Sequence, residues 1–155
     1  MKTKIAILGS TGSIGQSLLK IISKNKQKFE IKLLTADKNY KLILNQARKF
    51  NVRYIIITNE KFFKIAKSKN RNNKVKIFNN FKNFHNIFPK KIDYVMSSIV
   101  GIDGLIPTFE IIKFTKKIAI ANKETIICAW NLIKKELKKY NTEFIPVDSE
   151  HFSIW

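Results

Sequence analysis

Thiols are almost missing from this chain: Cys128 is its one cysteine. Neither a disulfide framework nor a cysteine-ligated metal site can be built within one copy, and a reducing, cytoplasmic setting is expected. Cys128 and Trp130 fall in an apolar helical stretch and read as core or domain-interface residues. Histidine is nearly as scarce. His85 and His151 have no partner at a telling spacing, and neither is given a role. No segment approaches the roughly eighteen uninterrupted apolar residues of a membrane-crossing helix. Met1 leads straight into a strand-like run with no apolar signal core, so a soluble protein is expected.

Acids are the next shortage, with 11 Asp and Glu against 30 Lys and Arg, a net charge of +19. Such a field attracts polyanions without sequence preference. Arginine, however, supplies only Arg48, Arg53 and Arg71. Surfaces that clamp phosphates or read bases favour its planar, bidentate guanidinium. The lysines are scattered and accompany many Asn, Ile and Phe residues, the joint bias expected of an AT-rich genome acting on exposed positions. Nucleic acid is therefore not the expected partner.

What is present in quantity is apolar side chain, 45% of 155 residues, enough for one domain with a real core. Runs of strand length alternate with segments of helical period. Strands are expected at Lys4–Leu8, Glu30–Ala36, Val52–Thr58, Val75–Phe78, Asp93–Met96, Lys117–Ala121 and Glu143–Val147. The intervening helices place Ile14, Leu18, Ile21 and Ile22 on one stripe, Ile43, Ala47 and Phe50 on a second, and Leu105, Phe109 and Ile112 on a third. In the longest, Ile126, Ala129, Trp130, Ile133, Leu137 and Tyr140 share a face. The pattern predicts an α/β fold, a Rossmann-like, doubly wound and mainly parallel sheet with flanking helices.

The first strand enters Gly9-Ser10-Thr11-Gly12-Ser13-Ile14-Gly15, and a helix follows. Glycines at this spacing allow a tight turn, close approach of a pyrophosphate and close helix packing. The helix N-terminus then offers N–H groups to phosphate, with Thr11 and Ser13 as added donors. An acid about twenty residues further on commonly holds the adenosine ribose, and Asp37 is so placed. Lys38, with Asn39 beside it, could instead neutralise a 2′-phosphate, so the pattern leaves NAD and NADP both open. Asp148-Ser149-Glu150 follows the last strand. Alternate residues of an extended segment point the same way, so the two carboxylates could share a hard cation such as Mg²⁺ or Mn²⁺. Two loop acids are more often solvated or capping, and that reading also stays open.

The glycine loop, Ile99-Val100-Gly101 with Gly104-Leu105, Ala121-Asn122-Lys123-Glu124 and Pro146-Val147-Asp148-Ser149-Glu150-His151 together resemble the 1-deoxy-D-xylulose 5-phosphate reductoisomerase family in order and spacing. The resemblance covers essentially all 155 residues. It implies an NADPH- and divalent-metal-dependent rearrangement and reduction of 1-deoxy-D-xylulose 5-phosphate to 2-C-methyl-D-erythritol 4-phosphate, in non-mevalonate isoprenoid synthesis. By matching positions, Thr11, Gly12, Ser13 and Ile14 would hold the cofactor phosphates. Asp37, Lys38 and Asn39 would lie at its adenosine end, with Asn122 and Glu124 further along it. Lys123 would contact the substrate. Asp148 and Glu150 would bind the metal, and Ser149 and Glu150 would touch the substrate.

Residues 1–147 would then form the NADPH-binding domain, and 148–155 would begin a catalytic domain. Family members continue into further catalytic and helical segments and are typically homodimers sensitive to fosmidomycin-type inhibitors. The 155 residues are accordingly expected to be a fragment, able to bind cofactor without turning over substrate. One position departs from the family: Asp37 stands where glycine usually precedes the basic residue, and an acid there should repel a 2′-phosphate unless it points away. Two rival classes remain. Another two-domain NAD(P)-dependent dehydrogenase would lack metal dependence at Asp148 and Glu150, and a basic nucleic-acid-binding module would bind polyanions without NADPH competition.

Overall fold

Strand and helix alternate along almost the whole of the computed structural model, which describes residues 1–70 and 74–147. The first half runs β1 (Thr3–Leu8), α1 (Ser13–Lys24), β2 (Phe29–Ala36), α2 (Tyr40–Lys49), β3 (Tyr54–Ile57), α3 (Glu60–Lys69) and β4 (Lys76–Phe78). The second runs α4 (Phe84–Ile87), β5 (Ile92–Ser97), α5 (Leu105–Ile111), β6 (Thr115–Ile120), α6 (Lys123–Lys139) and β7 (Glu143–Pro146). Single 3₁₀ turns precede α4 and α5 and follow α5. The strands form one sheet in the order β4-β3-β2-β1-β5-β6-β7, every pairing parallel. The doubly wound fold read from the pattern is the one observed.

Strand periodicity divides the core in two, because successive side chains point to opposite faces. Ile5 and Ile7 of β1 join Leu34, Ile55 and Ile57 in a cluster roofed by Leu19 and Ile22 of α1, Ile43 and Ala47 of α2 and Ala66 of α3. Ala6 and Leu8 point the other way. They join Leu33, Ile56, Val95 and Ile118, roofed by Phe84 of α4, Ile111 of α5 and Ile133 and Leu137 of α6. The central strands are thus apolar on both sides, which explains runs such as Tyr54-Ile55-Ile56-Ile57.

Two expectations about side-chain direction need correction. The buried stripe of α1 is Gly15, Leu19 and Ile22, with Leu18 half-buried, whereas Ile14 and Ile21 are exposed. Helical period allows one stripe, and the close seat of Gly15 on the glycine loop decides which. On α6, Ala129, Ile133 and Leu137 are buried as expected, but Cys128 is exposed and Trp130 is 37% exposed, its ring against Phe144, so neither is a core residue of this domain and only the domain-interface reading of the two stays open. No helix among the described residues is long and apolar enough to cross a membrane.

Because all seven strands are parallel, their carboxyl ends lie along one edge. The winding reverses between β1, whose crossover leads to β2 on one side, and β5 on the other. Folds of this kind bind ligands at that switch point.

Candidate functional site

The loop from β1 to α1 sits above the switch point and is held from three sides. Gly9 has φ +82°, and a Cβ there would fall 2.8 Å from the Ser98 carbonyl oxygen, so the turn needs glycine twice over. Its N–H donates to Thr35 Oγ1 at 2.9 Å, and the Ser10 N–H donates to the Thr35 carbonyl at 2.9 Å. Ser10 Oγ donates to Gln46 Oε1 at 2.8 Å, and Gln46 Nε2 donates back to the Ser10 carbonyl at 3.0 Å. Gly15 lets α1 start against this loop, since a Cβ there would meet Gly9 O at 2.5 Å and Ser10 Cα at 2.6 Å.

Gly12 is the N-cap of α1. No side chain caps the helix and its first turn carries no acid. Its leading N–H groups therefore face outward at the positive end of the helix dipole, an arrangement suited to phosphate. Beside it lies a cleft of about 580 Å³ lined by Gly9, Thr11 and Gly12, by Thr35, Ala36 and Asp37 at the end of β2, by Thr58 after β3, and by Phe81, Ser98, Ile99, Val100 and Asp103. That volume is in the range of cofactor and small-molecule sites. A glycine loop with room above it and an uncapped helix start fit a dinucleotide's pyrophosphate. A lining that mixes Ala36, Phe81, Ile99 and Val100 with polar groups suits its rings and riboses.

At the adenosine end expected from the sequence, Asp37 follows β2 directly. Thr58 Oγ1 donates to Asp37 Oδ1 at 2.9 Å, and Lys38 Nζ stands 3.9 Å from Asp37 Oδ2. Asn39 uses its Oδ1 to cap α2, accepting from the Leu42 N–H at 3.2 Å. Ser13 and Ile14 are exposed in the first turn of α1, outside the cleft lining.

The opposite wall is the segment after β5. Ser98 is tied to β1 through its N–H and its Oγ, both donating to the Leu8 carbonyl, at 2.9 and 2.8 Å. Asn122, buried at the N-terminus of α6, donates its side-chain amide to the carbonyls of Ile99 and Gly101 and accepts the Thr125 N–H at 2.8 Å. Its side chain is thus spent on shaping the wall. Lys123 and Glu124 are exposed on the first turn of α6. Lys123 borders a second groove, about 330 Å³, with Ile126, Ile127, Trp130 and Val147.

Asp148, Ser149 and Glu150 lie outside the described residues. The Val147 N–H donates to the Ile120 carbonyl at 3.2 Å, which brings the chain as far as Val147 to the same carboxyl edge as the glycine loop. Among the described residues, no group of three or more His, Cys, Asp or Glu side chains could hold a metal ion.

Sequence reasoning missed Thr35, Gln46, Thr58, Phe81 and Ser98. Thr35 carried a signal, as a polar residue inside the apolar run Leu33-Leu34-Thr35-Ala36. Gln46 carried none, because its partner is 36 positions away.

Comparison with known proteins bears on this site. The family model described as 1-deoxy-D-xylulose 5-phosphate reductoisomerase matches residues 5–130. The reductoisomerase of Pelagibacter ubique (strain HTCC1062) is 61% identical over 154 residues, 98% of this chain and 40% of that protein. The structure of the Zymomonas mobilis reductoisomerase in complex with NADPH superposes with a TM-score of 0.88 at 29% identity, covering 99% of this chain and 42% of that one. A DOX-P reductoisomerase in complex with NADPH, fosmidomycin and magnesium gives 0.87 at 31%, covering 96% and 37%. The chain spans about 40% of the length of the relative from P. ubique.

Proposed function

Since the chain belongs to the 1-deoxy-D-xylulose 5-phosphate reductoisomerase family, we propose that it is the NADPH-binding part of an enzyme that rearranges and reduces 1-deoxy-D-xylulose 5-phosphate to 2-C-methyl-D-erythritol 4-phosphate. The observation that carries this reading is the cleft over the β1–β5 switch point, with Gly9, Thr11 and Gly12 on one wall and the uncapped start of α1 opening onto it. Residues 1–147 make up the cofactor domain, and 148–155 begin the catalytic one.

When bound, NADPH would supply reducing power and a divalent cation, Mg²⁺ or Mn²⁺, would supply Lewis-acid stabilisation of negative charge on substrate oxygen. The chain's own residues orient and hold. Thr11 and the N–H groups at the start of α1 bind the pyrophosphate, with Ser13 and Ile14 contributing from the same turn. Asp37, Lys38 and Asn39 border the adenosine. Asn122 fixes the Ile99–Gly101 wall, and Glu124 lies beyond it. Lys123 places an ammonium where substrate negative charge gathers. Asp148 and Glu150 supply hard carboxylate oxygens, the donor type such cations prefer, and Ser149 is a substrate contact. The same reading makes the enzyme a cytoplasmic homodimer that fosmidomycin inhibits.

The test is NADPH oxidation by the protein from its complete reading frame, with 1-deoxy-D-xylulose 5-phosphate and Mn²⁺ or Mg²⁺, run beside a chelator control. Turnover that the chelator abolishes is expected. A folded, NADPH-bound protein that does not consume the substrate would overturn the reading of its reaction.

A further inference from the structure

An aromatic ring stands fixed at one end of the cleft. Phe81 lines it with Ala36, Asp37 and Thr58, and it is the one aromatic among the described residues of that lining. Phe81 opens the 3₁₀ turn that follows β4, and β4, β3 and β2 all lie on the same side of β1 in the sheet. In folds of this topology the pyrophosphate sits over the loop after β1 and the adenosine lies beside the end of β2, so the ring falls at the adenosine end. Its other side is held. The Phe81 and Phe84 ring centroids are 5.7 Å apart, and Phe84, only 2% exposed, packs in turn on Phe88 and Phe114 at 5.9 and 6.0 Å. The turn itself is tied down by Asn80, whose Oδ1 accepts the Lys82 N–H at 3.1 Å and the Asn83 side-chain amide at 3.3 Å.

A half-buried ring anchored in an aromatic core and bordering a ligand cleft offers a flat π face whose rotamer freedom is already spent, so little ordering entropy opposes its use in binding. Phosphates and riboses gain nothing from such a face. A purine does, because two π systems attract when stacked with an offset. We propose that Phe81 is the adenine platform of this site, the residue on which the base of the cofactor stacks. The proposal rests on the reading of the cleft as a dinucleotide site and deepens it. Stacking is blind to what the ribose carries at its 2′ position, so Phe81 strengthens binding of any adenine nucleotide and leaves recognition of the 2′-phosphate to the turn after β2.

The test is equilibrium titration of the complete protein with NADPH, and with 2′,5′-ADP as a probe of the adenosine end alone, thermal melts confirming that each variant is folded. Phe81→Leu keeps apolar bulk against Phe84 and removes the π face. It should weaken NADPH and 2′,5′-ADP alike, by roughly tenfold, within the range found when an aromatic platform is taken from a base. Phe81→Tyr restores the face and should restore both affinities. Phe81→Trp places a reporter at the same point, and saturating 2′,5′-ADP should quench its emission beyond any change in the unaltered protein. Undiminished affinity in Phe81→Leu, equal loss in Phe81→Leu and Phe81→Tyr, a loss for NADPH that 2′,5′-ADP does not share, or no added quenching in Phe81→Trp would each overturn the assignment, leaving the dinucleotide site standing. Failure of the folded, unaltered protein to bind NADPH overturns both.

Discussion

Ser10 and Gln46 form a reciprocal buried pair, with the Ser10 hydroxyl donating to Gln46 Oε1 at 2.8 Å and Gln46 Nε2 donating to the Ser10 carbonyl at 3.0 Å. Through it the glycine loop is fastened to α2, while Thr35 fastens it to β2. The loop that is to meet a pyrophosphate is therefore rigid before any ligand arrives, and less ordering entropy opposes binding. Replacing Gln46 with Leu keeps the volume and strands the Ser10 carbonyl in an apolar place. A buried group left without its partner costs about 1–3 kcal/mol, so Gln46→Leu should lower unfolding free energy by that amount in urea titrations. The same variant should weaken NADPH binding severalfold.

Gly12 and Gly15, three positions apart, answer to different demands. A Cβ on Gly15 would press on backbone atoms that cannot move away, Gly9 O and Ser10 Cα. A Cβ on Gly12 would meet only Gly9 O at 3.4 Å, an ordinary contact, and the residue's φ of −76° suits any side chain. Gly15→Ala should thus destabilise the fold by about 2 kcal/mol or more. Gly12→Ala should leave the melting temperature nearly unchanged but reduce dinucleotide affinity, because its methyl projects where phosphates approach. Thermal melts paired with NADPH titrations separate the two effects. Equal loss of stability in both variants would argue against this division of roles.

How much of this could be read beforehand depended on distance along the chain. The glycine loop was legible because strand, spacing and helix are contiguous, and the sheet was legible because both its faces are apolar. The stripe of α1 was misread since Ile14 and Ile21 are apolar yet exposed, in a composition where isoleucine also occupies surface positions. The Ser10–Gln46 pair and the Asp37–Thr58 bond join residues 36 and 21 positions apart, and no local pattern records such contacts. Asn122 was legible as part of a motif. That its amide is consumed by the Ile99 and Gly101 carbonyls was not, because those partners lie 23 and 21 residues back.

Asn122 does two jobs, and two substitutions separate them. Its oxygen caps α6 through the Thr125 N–H, and its amide nitrogen holds the wall of the cleft. Asp at this position retains the cap but sets a buried negative charge against two carbonyl oxygens. Ala loses both interactions without adding charge. If the wall contacts dominate, Asn122→Asp should be the less stable variant, by about 1 kcal/mol or more, since an unpaired buried charge costs more than a lost cap. An aspartate variant more stable than the alanine one would show that the cap matters most. Either variant should weaken cofactor binding, because Ile99 and Val100 line the cleft.

Asp93 governs the far, amino-terminal edge of the sheet. Lys116 Nζ donates to its Oδ1 at 2.8 Å and the Lys4 N–H donates to its Oδ2 at 2.9 Å, so one carboxylate links β5 to β6 and to β1. The Lys116 contact first, and the Lys4 backbone bond second, hold its carboxyl below the usual carboxylate range. A pKa lowered on folding means the unfolded chain binds the proton more tightly. The stabilisation is then complete above the unfolded value, about pH 4, and disappears as pH falls through the lower folded value. Asp93→Asn should reduce the melting temperature by the same amount at pH 7 and pH 5. The gap to the unaltered protein should narrow below about pH 4, where protonation removes the charge from Asp93 itself. A gap that stays constant down to pH 3 would mean that packing of the side chain, not its charge, carries the contribution.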